Sequence, residues 1–172
     1  MKKLYILLLS LTLSSTYGQV AIGKQSVTNS SVSLEFGSAN RGLVLPWVTS
    51  TASVNGAVDG TLIFDTTDKK VKYRKKGAWF DLTKDNTGTV DTTLQNGLSE
   101  LTSAETTIGK RTPTNTASGI LVLTDDDKAM ILPKVANPHL NIVNPAAGMI
   151  VYDSVNRQLA VFNGSVWSFW KP

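Results

Sequence analysis

Six basic side chains crowd into eight positions, Lys69-Lys70-Val71-Lys72-Tyr73-Arg74-Lys75-Lys76. Side chains alternate faces along a strand, so Lys70, Lys72 and Arg74 would share one face and Val71 and Tyr73 the other. A cationic face of this kind suits a polyanion such as lipopolysaccharide, acidic polysaccharide or extracellular DNA, held by charge alone. The same lysines would also guard an exposed edge strand against aggregation. No specific nucleic-acid recognition is expected.

Other reactive groups are few. The chain has no cysteine and one histidine, which excludes disulfides, thiolate chemistry and multi-histidine metal sites. His139 lies in Asn137-Pro138-His139-Leu140, and the sequence has no Gly-x-Ser-x-Gly nucleophile motif. Glu35, Glu100 and Glu105 are the only glutamates, with no carboxylate pair in a glycosidase-like setting. Asp125-Asp126-Asp127 lacks the ligand spacing and central glycine of an EF-hand and reads as a solvated turn. Phosphate loops and dinucleotide fingerprints are missing. The expectation is a non-enzyme with no cofactor and no metal.

These residues need a frame. At 172 residues, 41% hydrophobic and 17% charged, the chain has the apolar content for a core of one ordinary or two small domains. Met1-Lys2-Lys3, the apolar run Leu4–Leu13 and the small polar stretch up to Gly18 form the three parts of a secretory signal peptide. Ten apolar residues are too few to span a bilayer, and no transmembrane span is expected. Without residues 1–18, 15 basic residues face 13 acidic ones, so the charge is one stripe rather than a general property.

The rest is a duplication. Ile22-Gly23-Lys24 recurs as Ile108-Gly109-Lys110, and Arg41-Gly42-Leu43-Val44-Leu45-Pro46 as Lys128-Ala129-Met130-Ile131-Leu132-Pro133. Gly60–Asp65 recurs as Gly148–Asp153, and Trp79 as Trp167. The offset drifts only from 86 to 88, which places copy one at 19–83 and copy two at 105–172, with a Thr/Asn/Asp-rich linker at 84–104. Leu94, Leu98 and Leu101 in the linker have helical spacing, opposed by Gly97.

Each copy ends in a predicted three-stranded meander: Thr61–Asp65, Lys70–Lys75 and Ala78–Leu82, then Met149–Asp153, Gln158–Phe162 and Val166–Trp170. Asn163-Gly164 predicts a two-residue hairpin turn with both residues at positive φ. The matching Lys75-Lys76-Gly77 predicts a longer or shifted turn. Leu43–Leu45, continuously apolar, predicts a strand buried on both faces. The fold class is all-β: two tandem repeats of short antiparallel strands. A copy of about 65 residues sits near the lower size limit for folding alone, which favours stacked copies or an oligomer. Trp79 and Trp167 recur in both copies and read as core. Trp47 and Trp170 have no tryptophan counterpart and are the candidates for glycan or partner contact.

The pattern Ile-Gly … Gly-Leu-Val-Leu-Pro … Gly-x-Leu-Ile-Phe-Asp-Thr … Gly-x-Trp resembles a repeat of secreted and surface proteins of Bacteroidota. Its ending, Asn-Gly-x-x-Trp after a Tyr-Asp strand, is similar to phage tail-fibre repeats. Two positions depart from the pattern: Trp47 stands where a basic residue is usual, as in Lys134, and Ala129 replaces the glycine matching Gly42. The resemblance implies a non-catalytic structural or interaction protein, fibre-like, adhesin-like or docked to an assembly. The partners implied are further copies of itself or outer-membrane and surface proteins. It also implies export to the cell surface, the extracellular space or the periplasmic face of the outer membrane. Asp65-Thr66, Asp91-Thr92 and Asp153-Ser154 resemble the acceptor used for O-glycosylation in that group, making Thr66, Thr92 and Ser154 candidate glycan carriers. The alternative is a monomeric carbohydrate- or polyanion-binding module using Lys70, Lys72 and Arg74.

Overall fold

The computed structural model describes residues 18–93, 95–99, 101, 103–110 and 117–171. Apart from Gly18, the expected leader lies outside the described residues, as does Leu94 of the linker spacing. The described chain is all-β apart from a 3-10 turn at Thr51–Ser53 and one short helix, α1 (Pro138–Asn141).

The first copy holds β1 (Val20–Ile22), β2 (Val32–Phe36), β3 (Leu43–Val44), β4 (Trp47–Val48), β5 (Leu62–Asp65), β6 (Lys70–Lys75) and β7 (Ala78–Asp81). The second repeats the series as β8 (Thr106–Ile108), β9 (Leu121–Leu123), β10 (Ala129–Ile131), β11 (Lys134–Val135), β12 (Met149–Asp153), β13 (Gln158–Phe162) and β14 (Trp167–Trp170). Pairing repeats with the order. β1 runs parallel to β2 as β8 does to β9, and β4 parallel to β5 as β11 does to β12. The meanders β5-β6-β7 and β12-β13-β14 are antiparallel, as the alternation predicts. The opening strands are thus parallel rather than antiparallel, because each pair is joined by a loop that crosses over instead of a hairpin.

The turns correct the sequence reading. The two-residue hairpin lies in copy one: Lys75 pairs with Ala78 across Lys76-Gly77, at φ 51° and 72°. The Asp59 carboxylate accepts from both their amides, at 2.7 and 2.9 Å, and so holds this tight turn. In copy two Phe162 pairs with Trp167, leaving a four-residue loop in which Gly164 has positive φ and Asn163 does not. The Asn163 side chain caps that loop instead, accepting from Ser165 N and Val166 N at 2.9 and 2.7 Å.

The linker is not free over its first residues. Ser168 Oγ accepts from Lys84 N, Asn163 Nδ2 donates to Asp85 O, and Val90 packs on the core. Leu98 and Leu101 are exposed and belong to no helix. Among the described residues no helix is long and apolar enough to cross a membrane.

Candidate functional site

The feature that dominates the molecule is the joint between its two copies. β3 of the first copy pairs antiparallel with β12 of the second, Leu43 opposite Ile150 and Val44 opposite Met149. Leu45 N extends this pairing to Gly148 O at 3.1 Å. In exchange, β10 of the second copy lies parallel to β2 of the first, with Ala129 N donating to Ser31 O at 2.9 Å. A core built from both copies lies beneath: Leu45, Phe64 and Val71 from one, Ala147, Ile150 and Val161 from the other. Val71, Val161 and Phe64 are fully buried. Burying apolar side chains on this scale is worth about 1.5–3 kcal/mol each, so the joint is part of the fold and not an accessory contact.

Gly148 marks how closely the copies approach. Its φ is +77°, and a Cβ there would lie 2.7 Å from Phe64 Cβ. Gly42 is equally constrained, since a Cβ would collide with the side chains of Met149 and Val151. The sequence reading missed these joint residues. Their signal was the glycine opening the meander in both copies, Gly60 and Gly148, whose packing partner is remote in sequence. Leu43–Leu45 is also not buried on both faces, because Val44 is 43% exposed. Its neighbour Leu45 points into the core, so Val44 stands on the opposite, outer face.

Trp47 belongs to the same joint. Its Nε1 donates to Ala147 O at 2.9 Å and its ring packs on Phe64, so it is a contact between copies rather than a free surface group. Trp170 is the more exposed of the two candidates, with Nε1 donating to Leu82 O and Lys84 Nζ 5.0 Å over its ring. Trp167 stacks on Phe169, as their shared strand face requires.

The basic run forms strand β6, in which Val71 is fully buried and Lys72 is buried too, at 9% exposure, while Lys70 and Arg74 are half-buried. Two of its cations are matched by carboxylates within the fold. Lys70 and Lys72 both reach Asp81, at 2.7 and 2.9 Å, and Lys72 also pairs with Asp68 at 2.5 Å. Burial lowers the Lys72 pKa, but the hydrogen bonds to Asp68 and Asp81 outweigh it and the net shift is upward. Arg74 lies 5.6 Å over the Trp79 ring. Copy two fills the equivalent face with Ala160 and Phe162 in a second core with Val135, Met149 and Val151.

Of the acceptor-like hydroxyls, Thr66 is half-buried with its Oγ1 donating to Val48 O at 3.1 Å, Thr92 is half-buried, and Ser154 is exposed. Asp125 is engaged by Lys128 at 3.0 Å, Lys110 N and Ser33 Oγ. His139 is exposed, its ring edge-on to Phe169.

The structural aspartate of each meander is equivalent in both copies. Asp65 accepts from Thr67 N and Asp153 from Val155 N, each closing the hairpin that follows. Asp153, fully buried, also accepts from Asn137 N, Asn156 and Gln158. Burial alone would raise its pKa, yet the bonds from Asn156, Gln158 and Val155 pull it down to about 2.

No curated protein and no solved structure matches the chain. Residues 107–171, the second copy from β8 to the end of β14, match the family described as a phage tail like trimerisation region, in line with the likeness of its Asn-Gly-x-x-Trp ending to phage tail repeats.

Proposed function

We propose that the chain is an exported, non-catalytic structural protein that self-associates through its β repeats, as a fibre-like or assembly-docking module at the cell surface or outer membrane. The observation that carries this reading is the match of residues 107–171 to a phage tail like trimerisation region. The joint supports it, because repeats of this type already bind one another in the chain by exchanging strands. A trimer is the expected state. Backbone pairing and apolar burial hold such an assembly, so added salt changes it little.

The test is the solution mass of residues 19–172 by light scattering on a sizing column, at low and high salt. A trimer or larger closed assembly at both salts supports the reading. A monomer at every concentration overturns it. Export is tested separately, by N-terminal sequencing of material recovered outside the cytoplasm, where the expected first residue is Gln19.

A further inference from the structure

We infer that the joint between the two copies is repeated between chains, with β9 and β10 of one chain pairing with β3 and β5 of a second copy of the same chain. The inference rests on the self-association reading above and adds its surfaces and their polarity.

The duplication supplies the argument. Inside the chain, the first copy offers β2 and β3, and the second receives them with β10 and β12. The second copy owns the counterparts of the offering strands, β9 and β10. The first copy owns the counterparts of the receiving ones, β3 and β5. Among the described residues, each of these strands keeps all or part of one edge unpaired. β2 is paired on both edges, whereas among the described residues β9 is paired only with β8. Leu34 is 1% exposed, while its counterpart Leu121 is 42% exposed beside Ile120 at 59%. On β12 one edge carries β11 and β3 end to end, whereas on β5 the same edge carries β4 alone. Gly148 presses on Phe64, while its counterpart Gly60 would have none of the described residues within 4 Å of an added Cβ.

The hydrogen-bond parity agrees. Successive amides along a strand point to opposite edges. On β3, Leu45 N points to β12; on β10, Ala129 N points to β2, and Ala129 is the counterpart of Gly42. Met130 and Leu132, the counterparts of Leu43 and Leu45, therefore present their amides on the edge of β10 that β2 leaves free. The interchain bonds that follow are Leu132 N to Gly60 O of the second chain, and Gly42 N of the second chain to Ser118 O.

Two side-chain differences also match. Where Trp47 meets Ala147 within the chain, the equivalent interchain positions are the exposed Lys134 and Asp59, of opposite charge. Where Gly42 faces Met149, the equivalents are Ala129 and Thr61, so the larger residue on one side meets a smaller one on the other. The contact is heterologous: the patch that offers differs from the patch that receives. It closes into a ring or runs on as a filament, and a ring of three chains is the form that agrees with the family match.

The experiment is cross-linking between chains. Val44 opposite Met149 is a pair without mutual hydrogen bonds, the closer kind in an antiparallel ladder, so its interchain equivalent, Ile131 opposite Thr61, suits a disulfide. One batch of residues 19–172 carries Ile131→Cys and another Thr61→Cys; the natural chain has no cysteine to interfere. Oxidation of the mixture is expected to give a cross-linked species that neither batch gives alone. Zero-length carbodiimide coupling of the unaltered protein, made from mixed light and heavy-isotope chains, is expected to join Lys134 to Asp59 of another chain. Lys134→Glu is expected to weaken association about fivefold at low salt and less at high salt. An oligomer in light scattering that yields neither cross-link overturns this inference and leaves self-association standing. A monomer overturns both.

Discussion

Trp47 Nε1 donates to the carbonyl oxygen of Ala147 at 2.9 Å, across 100 residues of chain, and so ties the first repeat to the second. Ala147 is 5% exposed, which leaves water little access to that carbonyl. Trp47→Phe keeps most of the ring packing on Phe64 and removes the donor. It is expected to cost about 1–3 kcal/mol in urea unfolding, the range for one buried acceptor left unpaired. Trp47→Phe stability equal to the parent protein would show that the bond contributes nothing to the joint.

Gly148 and Gly60 occupy equivalent places with different surroundings. Both have positive φ, +77° and +92°, so an alanine strains either backbone by about 1–2 kcal/mol. Only Gly148 adds a clash, against Phe64. Gly148→Ala is expected to lower the melting temperature of the isolated chain clearly more than Gly60→Ala. Equal losses would mean that the copies are not in close contact there.

Asp153 makes the fold acid-sensitive in a defined window. Its carboxyl is held at about 2, below the ordinary 3.8, so the charged form is favoured in the folded chain. The stability this supplies is complete above about pH 4 and is lost as pH falls through about 2. Glu35 adds to the same window: hydrogen bonds from Lys24 and Thr28 hold it at about 2. Urea midpoints measured from pH 6 to pH 2 should fall below pH 4. Asp153→Asn should be less stable at pH 6, with a shallower fall. A parent midpoint that stays flat to pH 2 would remove Asp153 and Glu35 from the account.

Leu34 and Leu121 hold the same place in the two copies, one buried and one 42% exposed. Leu34→Ala is expected to cost about 2–5 kcal/mol of stability, as for other buried leucines. Leu121→Lys is expected to leave the circular dichroism spectrum of the chain unchanged and to shift its light-scattering mass toward the monomer. Loss of fold in Leu121→Lys would place that residue in the core of the single chain.

The chain determined by itself whatever depends on neighbours within a few residues. Strands β6, β12 and β13 fall on the limits that alternation assigns them, because a period of two and flanking turn residues are local properties. Strands β1 to β7 and β8 to β14 follow the repeated motifs in order, because each motif carries the local pattern that makes its strand. Turn geometry was only half legible. Asn163-Gly164 has the composition of a tight turn, but Asn163 is drawn into bonds with Asp85 and its own loop, while Asp59 tightens Lys76-Gly77. The pairing of β3 with β12 and of β10 with β2 was decided by the tertiary structure alone. A short apolar strand such as Leu43-Val44 carries no label for its partner, and the choice rests on which distant edge is open and which core it closes. The basic stripe is the same lesson in charge: its face is written in the alternation, but Asp68 and Asp81, brought beside it by the hairpins, decide how much of that charge is left for a ligand.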